Sequence, residues 1–273
     1  MAKPTSSARE ASGSASPLTA GGYPAGAFRK YKPFFLILIM KFVLIGSGVG
    51  FDLTVSGVEE LKSCDEAYIE TYTNPLDRKE INLLENKIGK KIAVLERGQV
   101  EGRFLLDRAA SADVCLIASG DPLTATTHIT LVMEARERKI PVKVIHNSSV
   151  YSAAPAKSGL QIYRFGKTAT LVNPRPNYQP KSSLDAIRSN LENNTHSLVL
   201  LDTEPKPMEA KNALEMLSEF ETAVVLSRLG SDDEKISYGK IKDLKELELG
   251  RPPFTIVIPA GLHPVEQEFL DTL

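Results

Sequence analysis

Cysteine is scarce in this chain: Cys64 and Cys115 are the two thiols in 273 residues. They fall in different expected elements, which argues against a disulfide framework and suits a reducing cytoplasm. Cys115 lies inside an apolar strand and reads as a small core hydrophobe. Histidine is thin as well. His128, His146, His196 and His263 are scattered, and no pair has metal-ligand spacing. Neither sign of charge is in excess: 33 Lys and Arg against 34 Asp and Glu leave a formal net charge of −1. That removes the broad electrostatic case for nucleic-acid binding. Long hydrophobic runs are missing too. The apolar residues 34–40 follow basic ones, as in a signal peptide, but Lys41 interrupts the run before it could span a bilayer.

Residues 1–28 are rich in Ala, Ser, Gly, Thr and Pro without apolar period, the composition of a disordered segment. Met40 makes a natural start, so residues 1–39 are expected to be a disordered or non-native extension.

From there the chain alternates. Residues 42–45, 67–70, 92–95, 114–118 and 142–146 are short apolar runs, as expected of strands buried on both faces. Thr54 can cap a helix carrying Val55, Val58 and Leu61, and residues 80–87 form a second helical pattern ending near Gly89. This order predicts a mostly parallel sheet with helices on its faces. The stretch Val114 to Thr130 organises the rest. Its strand stops at Ser119-Gly-Asp-Pro122, and a helix follows with Ile129, Val132 and Met133 at helical spacing. Ligands of open α/β sheets bind at the carboxyl ends of strands, so Asp121 is either a site carboxylate or a plain turn residue.

The first strand runs into Gly46-Ser-Gly-Val-Gly50, where the third glycine falls one residue early for a dinucleotide fingerprint. Glu70 is the residue that would hold the ribose in that alternative. Residues 147–159 are small and polar, a second ligand wall or a linker between domains.

The second half repeats the alternation. Strands are expected at 168–172, 197–201, 223–228 and 254–258, with an added, antiparallel one at 236–241. Leu184, Ile187 and Leu191 mark one helix, and Ala210, Ala213, Leu214 and Leu217 another. The proline-rich segment 173–180 reads as a loop over a cleft or edge. Residues 228–232 and 259–264 both follow strands and are expected at one rim of the sheet. Asp232-Asp-Glu234 reads as a solvated turn, and His263 as structural.

Several segments carry a family resemblance. These are Ile45-Gly-Ser-Gly-Val49 with Asp52-Leu-Thr54, Glu70-Thr-Tyr-Thr73, Gly120-Asp-Pro-Leu-Thr-Ala-Thr-Thr-His128, Val144-Ile-His-Asn-Ser-Ser-Val-Tyr-Ser-Ala153, Gly159-Leu-Gln-Ile-Tyr-Arg-Phe-Gly-Lys-Thr-Ala-Thr170, Leu200-Leu-Asp202 and Pro252-Pro253. With them, the chain from about Met40 onward resembles the diphthine synthase family within the tetrapyrrole-methylase fold. The resemblance implies two α/β domains, 40–150 and 151–273, with mostly parallel sheets and a ligand cleft between them. It implies a cytoplasmic homodimer with no direct nucleic-acid or membrane partner. It implies transfer of methyl groups, three in the archaeal branch, from S-adenosylmethionine without a metal. The acceptor is the amine of a 3-amino-3-carboxypropyl group on a histidine of translation elongation factor 2.

By position, the family's cofactor contacts fall on Val49, Asp121, Thr124, Ser149, Val150, Leu201, Leu229 and Phe254. Phe254 stands where the family has histidine, so only a backbone contact is expected there, and the segment around Leu229 matches loosely. The chemistry asks mainly for positioning and desolvation, because the donor carries its own activation. The sequence names no base for the accepting amine. The same fold also hosts tetrapyrrole and ribosomal RNA methyltransferases, and a non-catalytic nucleotide-binding module is the alternative of another class.

Overall fold

Short apolar runs and the amphipathic segments between them become two five-stranded sheets. The computed structural model describes residues 40–74, 76–175 and 181–273. The expected extension at 1–39, and residues 176–180 of the proline-rich loop, lie outside the described residues. In chain order the first half is β1 (Phe42–Gly46), α1 (Val55–Ser63), β2 (Glu66–Glu70), α2 (Arg78–Ile88), β3 (Ala93–Leu95), α3 (Arg97–Val100), α4 (Phe104–Ala109), β4 (Val114–Ala118), α5 (Ile129–Glu137) and β5 (Val142–Ile145). The second half is α6 (Val150–Lys157), a short 3-10 turn (Ile162–Arg164), β6 (Ala169–Leu171), α7 (Ser182–Glu192), β7 (Ser197–Leu201), α8 (Ala210–Met216), β8 (Thr222–Ser227), β9 (Lys235–Lys240), α9 (Ile241–Leu244), β10 (Phe254–Ile258) and α10 (Pro264–Leu270).

The first sheet has the order β3-β2-β4-β1-β5, and every pair in it is parallel. All five strands therefore end at one rim. Both faces of the three central strands are covered, as the apolar runs predict; the edge strands β3 and β5 depart from that expectation, with Ala93, Val94 and Lys143 exposed, because an edge strand lacks a neighbour on one side. In β1, Val43 and Ile45 pack with Leu61, Ile69 and Leu84, while Phe42 and Leu44 pack with Leu105, Leu106, Leu131 and Val132. That is the two-residue period of a strand. Thr54 caps α1 by accepting the Gly57 amide at 3.1 Å, a contribution of about 1 kcal/mol. Gly89, at φ 74°, ends α2.

Two expected helix faces need correction. Ile129 and Met133 of α5 are exposed, at 48% and 55%; the buried row is His128, Leu131, Val132 and Ala135. The spacing is helical but begins on a polar residue, which hides it in the sequence. On α1, Leu61 is buried while Val55 faces solvent.

The second sheet, β6-β7-β10-β8-β9, departs from the parallel expectation. β6 pairs with β7 in parallel, but β10 runs antiparallel to both β7 and β8, and β9 antiparallel to β8. Strands buried on both faces look alike in sequence whatever their direction. The direction decides which loops meet. The ends of β7 and β8 share a rim with the start of β10, since Leu200 pairs with Thr255 and Ser227 with Phe254. Residues 259–264 lie at the opposite rim, where the Ala260 amide donates to His196 at 2.9 Å. Residues 228–232 and 259–264 thus sit at opposite ends, against expectation.

The expected small-residue wall or linker after Asn147 contains a helix, α6, which packs on β7 and β10. The turn at Asp232 is solvated as expected, with Asp232 and Asp233 exposed, yet it is held by ion pairs. Asp233 accepts from Arg228 at 3.1 Å and from Arg251 at 2.7 Å, and Glu234 from Lys157 at 2.6 Å. His263 caps α10, accepting the Val265 amide. Cys64 and Cys115 are buried free thiols. No helix among the described residues is long and apolar enough to cross a membrane.

Candidate functional site

The first sheet delivers its strand ends to one rim, and the loops there are stitched together. Gly48 and Gly120 exchange backbone hydrogen bonds at 3.0 and 3.2 Å, clipping the loop after β1 to the loop after β4. A Cβ on Gly46 would meet the Gly120 carbonyl at 2.5 Å, so the glycine is needed for this approach. The Asn147 side-chain amide donates to the carbonyls of Gly46 and Asp52, at 3.1 and 2.8 Å, and ties in the loop after β5. The glycine run therefore serves loop-on-loop packing. Glu70, the ribose acid of the dinucleotide alternative, is 0% exposed and accepts the Thr73 amide at 2.9 Å. Burial pushes its carboxyl up, against the opposing hydrogen bonds from Thr73 and Tyr72.

Asp121 is the knot of the rim. Its Oδ1 accepts the Leu123 amide at 3.0 Å and the Thr124 hydroxyl at 3.1 Å. Its Oδ2 accepts His146 Nδ1 at 2.8 Å and the Asn147 amide at 3.2 Å. Burial raises the carboxyl, but the Leu123, His146, Asn147 and Thr124 donors outweigh it and hold the group below the usual carboxylate range. Asp121 is therefore a charged carboxylate whose oxygens fix two loops, β4 to α5 and β5 to α6. It is more than a plain turn residue.

Opposite stands the rim of the second sheet, and a cavity of about 500 Å³ lies between the two. All eight residues expected to touch a cofactor line it: Val49, Asp121, Thr124, Ser149, Val150, Leu201, Leu229 and Phe254. Val49 follows β1, and its amide donates to the Ser148 hydroxyl at 3.3 Å. Ser149 caps α6 in a reciprocal pair with Ser152, and Val150 opens that helix. Leu201 ends β7 and Leu229 follows β8. Phe254 starts β10, and its buried ring joins the second half's core with Val199, Leu214 and Ile256. Leu200, Leu201 and Leu226 give the second wall an apolar face, beside the charged Asp202, Glu204 and Arg228 on the same wall. A volume of this size falls within the range of about 300–1,000 Å³ for small-molecule sites.

The walls touch at named points. A Cβ on Gly50 would meet the Gly230 carbonyl at 2.5 Å. Thr203 donates to the Tyr72 carbonyl at 2.8 Å, Arg228 to Glu80 at 2.7 Å, and Arg97 pairs with Glu204. Arg228 is held at a left-handed φ of 53° with its guanidinium between Glu80 and Asp233.

Tyr72, Arg97, Asp202, Thr203, Glu204 and Arg228, none of them expected as site residues, also stand on the cavity wall. For Arg97 and Glu204 the sequence does hold a signal: each closely follows an expected strand, where the rule for ligand loops applies. His128, in the sequence one of four scattered histidines, is buried, with Nδ1 3.1 Å from the Pro122 carbonyl and Nε2 3.3 Å from the Tyr72 hydroxyl. A carbonyl only accepts, so Nδ1 carries the proton and Nε2 accepts from Tyr72. Burial keeps this imidazole below its ordinary value, despite the Pro122 carbonyl and Glu101, which favour the charged form. No cluster of three or more His, Cys, Asp or Glu able to hold a metal occurs among the described residues.

Comparison with known proteins agrees with this architecture. The family described as Tetrapyrrole (Corrin/Porphyrin) Methylases matches residues 41–245. The chain is 39% identical over 235 residues to the diphthine synthase of Methanothermobacter thermautotrophicus, covering 80% of this chain and 89% of that protein. It is 38% identical over 254 residues to the diphthine synthase of Methanocaldococcus jannaschii, covering 85% and 98%. A crystal structure of diphthine synthase superposes with a TM-score of 0.77 at 32% identity, covering 85% of this chain and 94% of that one. A tetrapyrrole-methylase match over most of the chain, with diphthine synthases among its relatives in both sequence and structure, leads to one assignment: the chain belongs to the tetrapyrrole methylases and, within them, to the diphthine synthase family.

Proposed function

We propose that the cavity binds S-adenosylmethionine and that the protein methylates, up to three times, the amine of a 3-amino-3-carboxypropyl-histidine on translation elongation factor 2. This is the diphthine-forming step of diphthamide biosynthesis, carried out in the cytoplasm. One observation carries the reading: eight residues spread from Val49 to Phe254, each implied by the family resemblance of the sequence alone, line a single cavity. We take that cavity as the cleft between domains 40–150 and 151–273.

The residues fit the donor. When bound, S-adenosylmethionine supplies a methyl group already activated on a sulfonium. Val49, Val150, Leu201 and Leu229 offer apolar surface for a nucleoside and exclude water from its rim. Asp121 keeps a negative charge at the floor while holding Thr124 and the Asn147 amide in place. Phe254 offers no side-chain hydrogen bond, so the family's histidine contact is reduced here to backbone. Partial desolvation of the cavity favours the neutral form of an incoming amine, the form that can attack. The same reading expects a homodimer; exposed Ile129 and Met133 of α5 provide apolar surface for such a contact, and sedimentation equilibrium reads it.

The test is mass spectrometry of elongation factor 2 carrying the aminocarboxypropyl histidine, after incubation with the protein and S-adenosylmethionine. Successive methyl additions that require both components are expected. Tight donor binding without any mass gain would instead favour a non-catalytic nucleotide-binding module.

A further inference from the structure

Two cationic side chains lie on the cavity wall among the described residues, Arg97 and Arg228. They are not equivalent. Arg228 is 8% exposed and enclosed by Glu80 at 2.7 Å and Asp233 at 3.1 Å. Its guanidinium holds the two halves together and has little left for a ligand. The Arg97 side chain is 48% exposed. Its Nε donates to Glu101 at 2.9 Å, and its Nη1 to Glu204, which reaches over from the other half. Its guanidinium carbon lies 5.6 Å from the centre of the Tyr72 ring, a cation–π distance.

That ring is itself anchored. The Tyr72 hydroxyl donates to His128 Nε2, His128 Nδ1 donates to the Pro122 carbonyl, and the Tyr72 carbonyl accepts from Thr203. The residues after β2, the loop after β4 and the rim of the second sheet thus build one platform under Arg97. The end of the Gly120–His128 motif is explained by this chain of contacts: His128 touches the platform, and Asp121 touches the donor side of the cavity.

A planar guanidinium is matched to a carboxylate, and here both partners it holds are carboxylates. The substrate of the proposed reaction carries a carboxylate on the same carbon as the reacting amine. Whatever grips the carboxylate fixes the amine one carbon away. We propose that Arg97, presented on the Tyr72–His128 platform, is the specificity-determining residue that binds the α-carboxylate of the aminocarboxypropyl group. Glu204 occupies that position in the free protein and is displaced by the substrate. Exchange is easy because an exposed ion pair of this kind contributes little. The inference rests on the methyltransferase reading above, and it names the part of the substrate that this corner of the cavity reads.

Two variants test it, Arg97→Ala and Arg97→Gln, the second keeping the aliphatic stem and a planar hydrogen-bonding end while removing the charge. Each is expected to raise KM for the modified elongation factor 2 by about tenfold or more, since a charged bidentate contact is lost. The S-adenosylmethionine Kd is expected to change by less than about twofold, because no donor contact is touched, while kcat falls together with the rise in KM as the amine loses its orientation. Titration of the modified factor into protein loaded with S-adenosylhomocysteine should show the same loss in affinity. Glu204→Gln is expected to leave KM equal or lower, because it removes a competitor. An unchanged KM in both Arg97 variants, an equal loss of donor affinity, or a KM raised by Glu204→Gln as much as by Arg97→Ala would overturn the proposal. A wild-type protein that transfers no methyl group overturns the function and this inference together; failure confined to the variants overturns the inference alone.

Discussion

The two sheets are built from similar alternating elements, yet they reach the cavity in different ways. In the first, all strands run parallel, so residues following β1, β2, β3, β4 and β5 converge on one rim. Val49, Tyr72, Arg97, Asp121 and Ser149 all arrive by this route. In the second, β10 runs against its neighbours, so the cavity takes the ends of β7 and β8 but the start of β10. The first wall is consequently made of loops free to carry polar groups. The second is made partly of strand, and its Leu200, Leu201, Leu226 and Phe254 are residues that also serve a core. Both walls carry charge, Glu80, Arg97 and Asp121 on the first and Asp202, Glu204 and Arg228 on the second; loop hydroxyls and amides concentrate on the parallel side, and strand-borne leucines on the other.

That difference can be broken most severely on the parallel side. Asp121→Ala leaves the half-buried Leu123 and Asn147 amides without their acceptor, at up to about 1–3 kcal/mol for each. S-adenosylmethionine affinity is expected to fall by about a hundredfold, equivalent to about 2.7 kcal/mol, while circular dichroism still reports a folded protein. Unchanged affinity in calorimetry would return Asp121 to a turn residue. The pH dependence has a definite sign. Asp121 is held below its ordinary 3.8; its contribution to stability is complete above that value and lost as pH falls through the lower folded value. Acid unfolding of the wild type should carry this loss, and that of the variant should not.

The junction between the walls comes next. Gly50→Ala places a methyl 2.5 Å from the Gly230 carbonyl, so one loop must retreat. Overpacking of this kind costs about 1–3 kcal/mol, and donor affinity measured by calorimetry is expected to drop by about tenfold. Wild-type affinity would mean that the walls do not depend on this contact.

Glu70 is buried at the end of β2, two residues before the wall residue Tyr72. Its folded value is raised above 4.5 by burial. It therefore adds stability below 4.5, and that stability is lost as pH rises through the folded value. Glu70→Gln should flatten this dependence: relative to wild type, the variant's melting temperature should be higher at about pH 8 than at about pH 4. A parallel shift at both would contradict the assignment.

Phe254→His should be the mildest change. It introduces the histidine that the family resemblance implies at this position but puts an imidazole into an apolar core, at about 1–3 kcal/mol. Donor affinity is expected to stay within about threefold. A larger loss would show that the ring itself packs on the ligand.

Much of the fold is legible in the sequence, and the exceptions share a physical cause. The strands 114–118, 197–201 and 254–258 match the structure residue for residue, because buried strands leave uninterrupted apolar runs. Strand direction leaves no such trace, so the apolar pattern puts the loop at 259–264 on the wrong rim. The buried face of α5 escapes the pattern because its first member is His128, which a hydrophobicity count skips. Arg97 and Tyr72 acquire meaning only from contacts across the fold: Tyr72 with His128, 56 residues on, and Arg97 with Glu204, 107 residues on. Asp121 is visible as a motif; that it ties two loops together is not.

The proposed donor site is shared by two unlike walls, with Asp121 on the first. A crystal structure of the protein with S-adenosylhomocysteine tests it directly. The ligand is expected between Val49, Asp121 and Val150 on one side and Leu201, Leu229 and Phe254 on the other, with its sulfur open toward Arg97. A ligand bound away from the loop after Gly120, or outside this cavity, would contradict it.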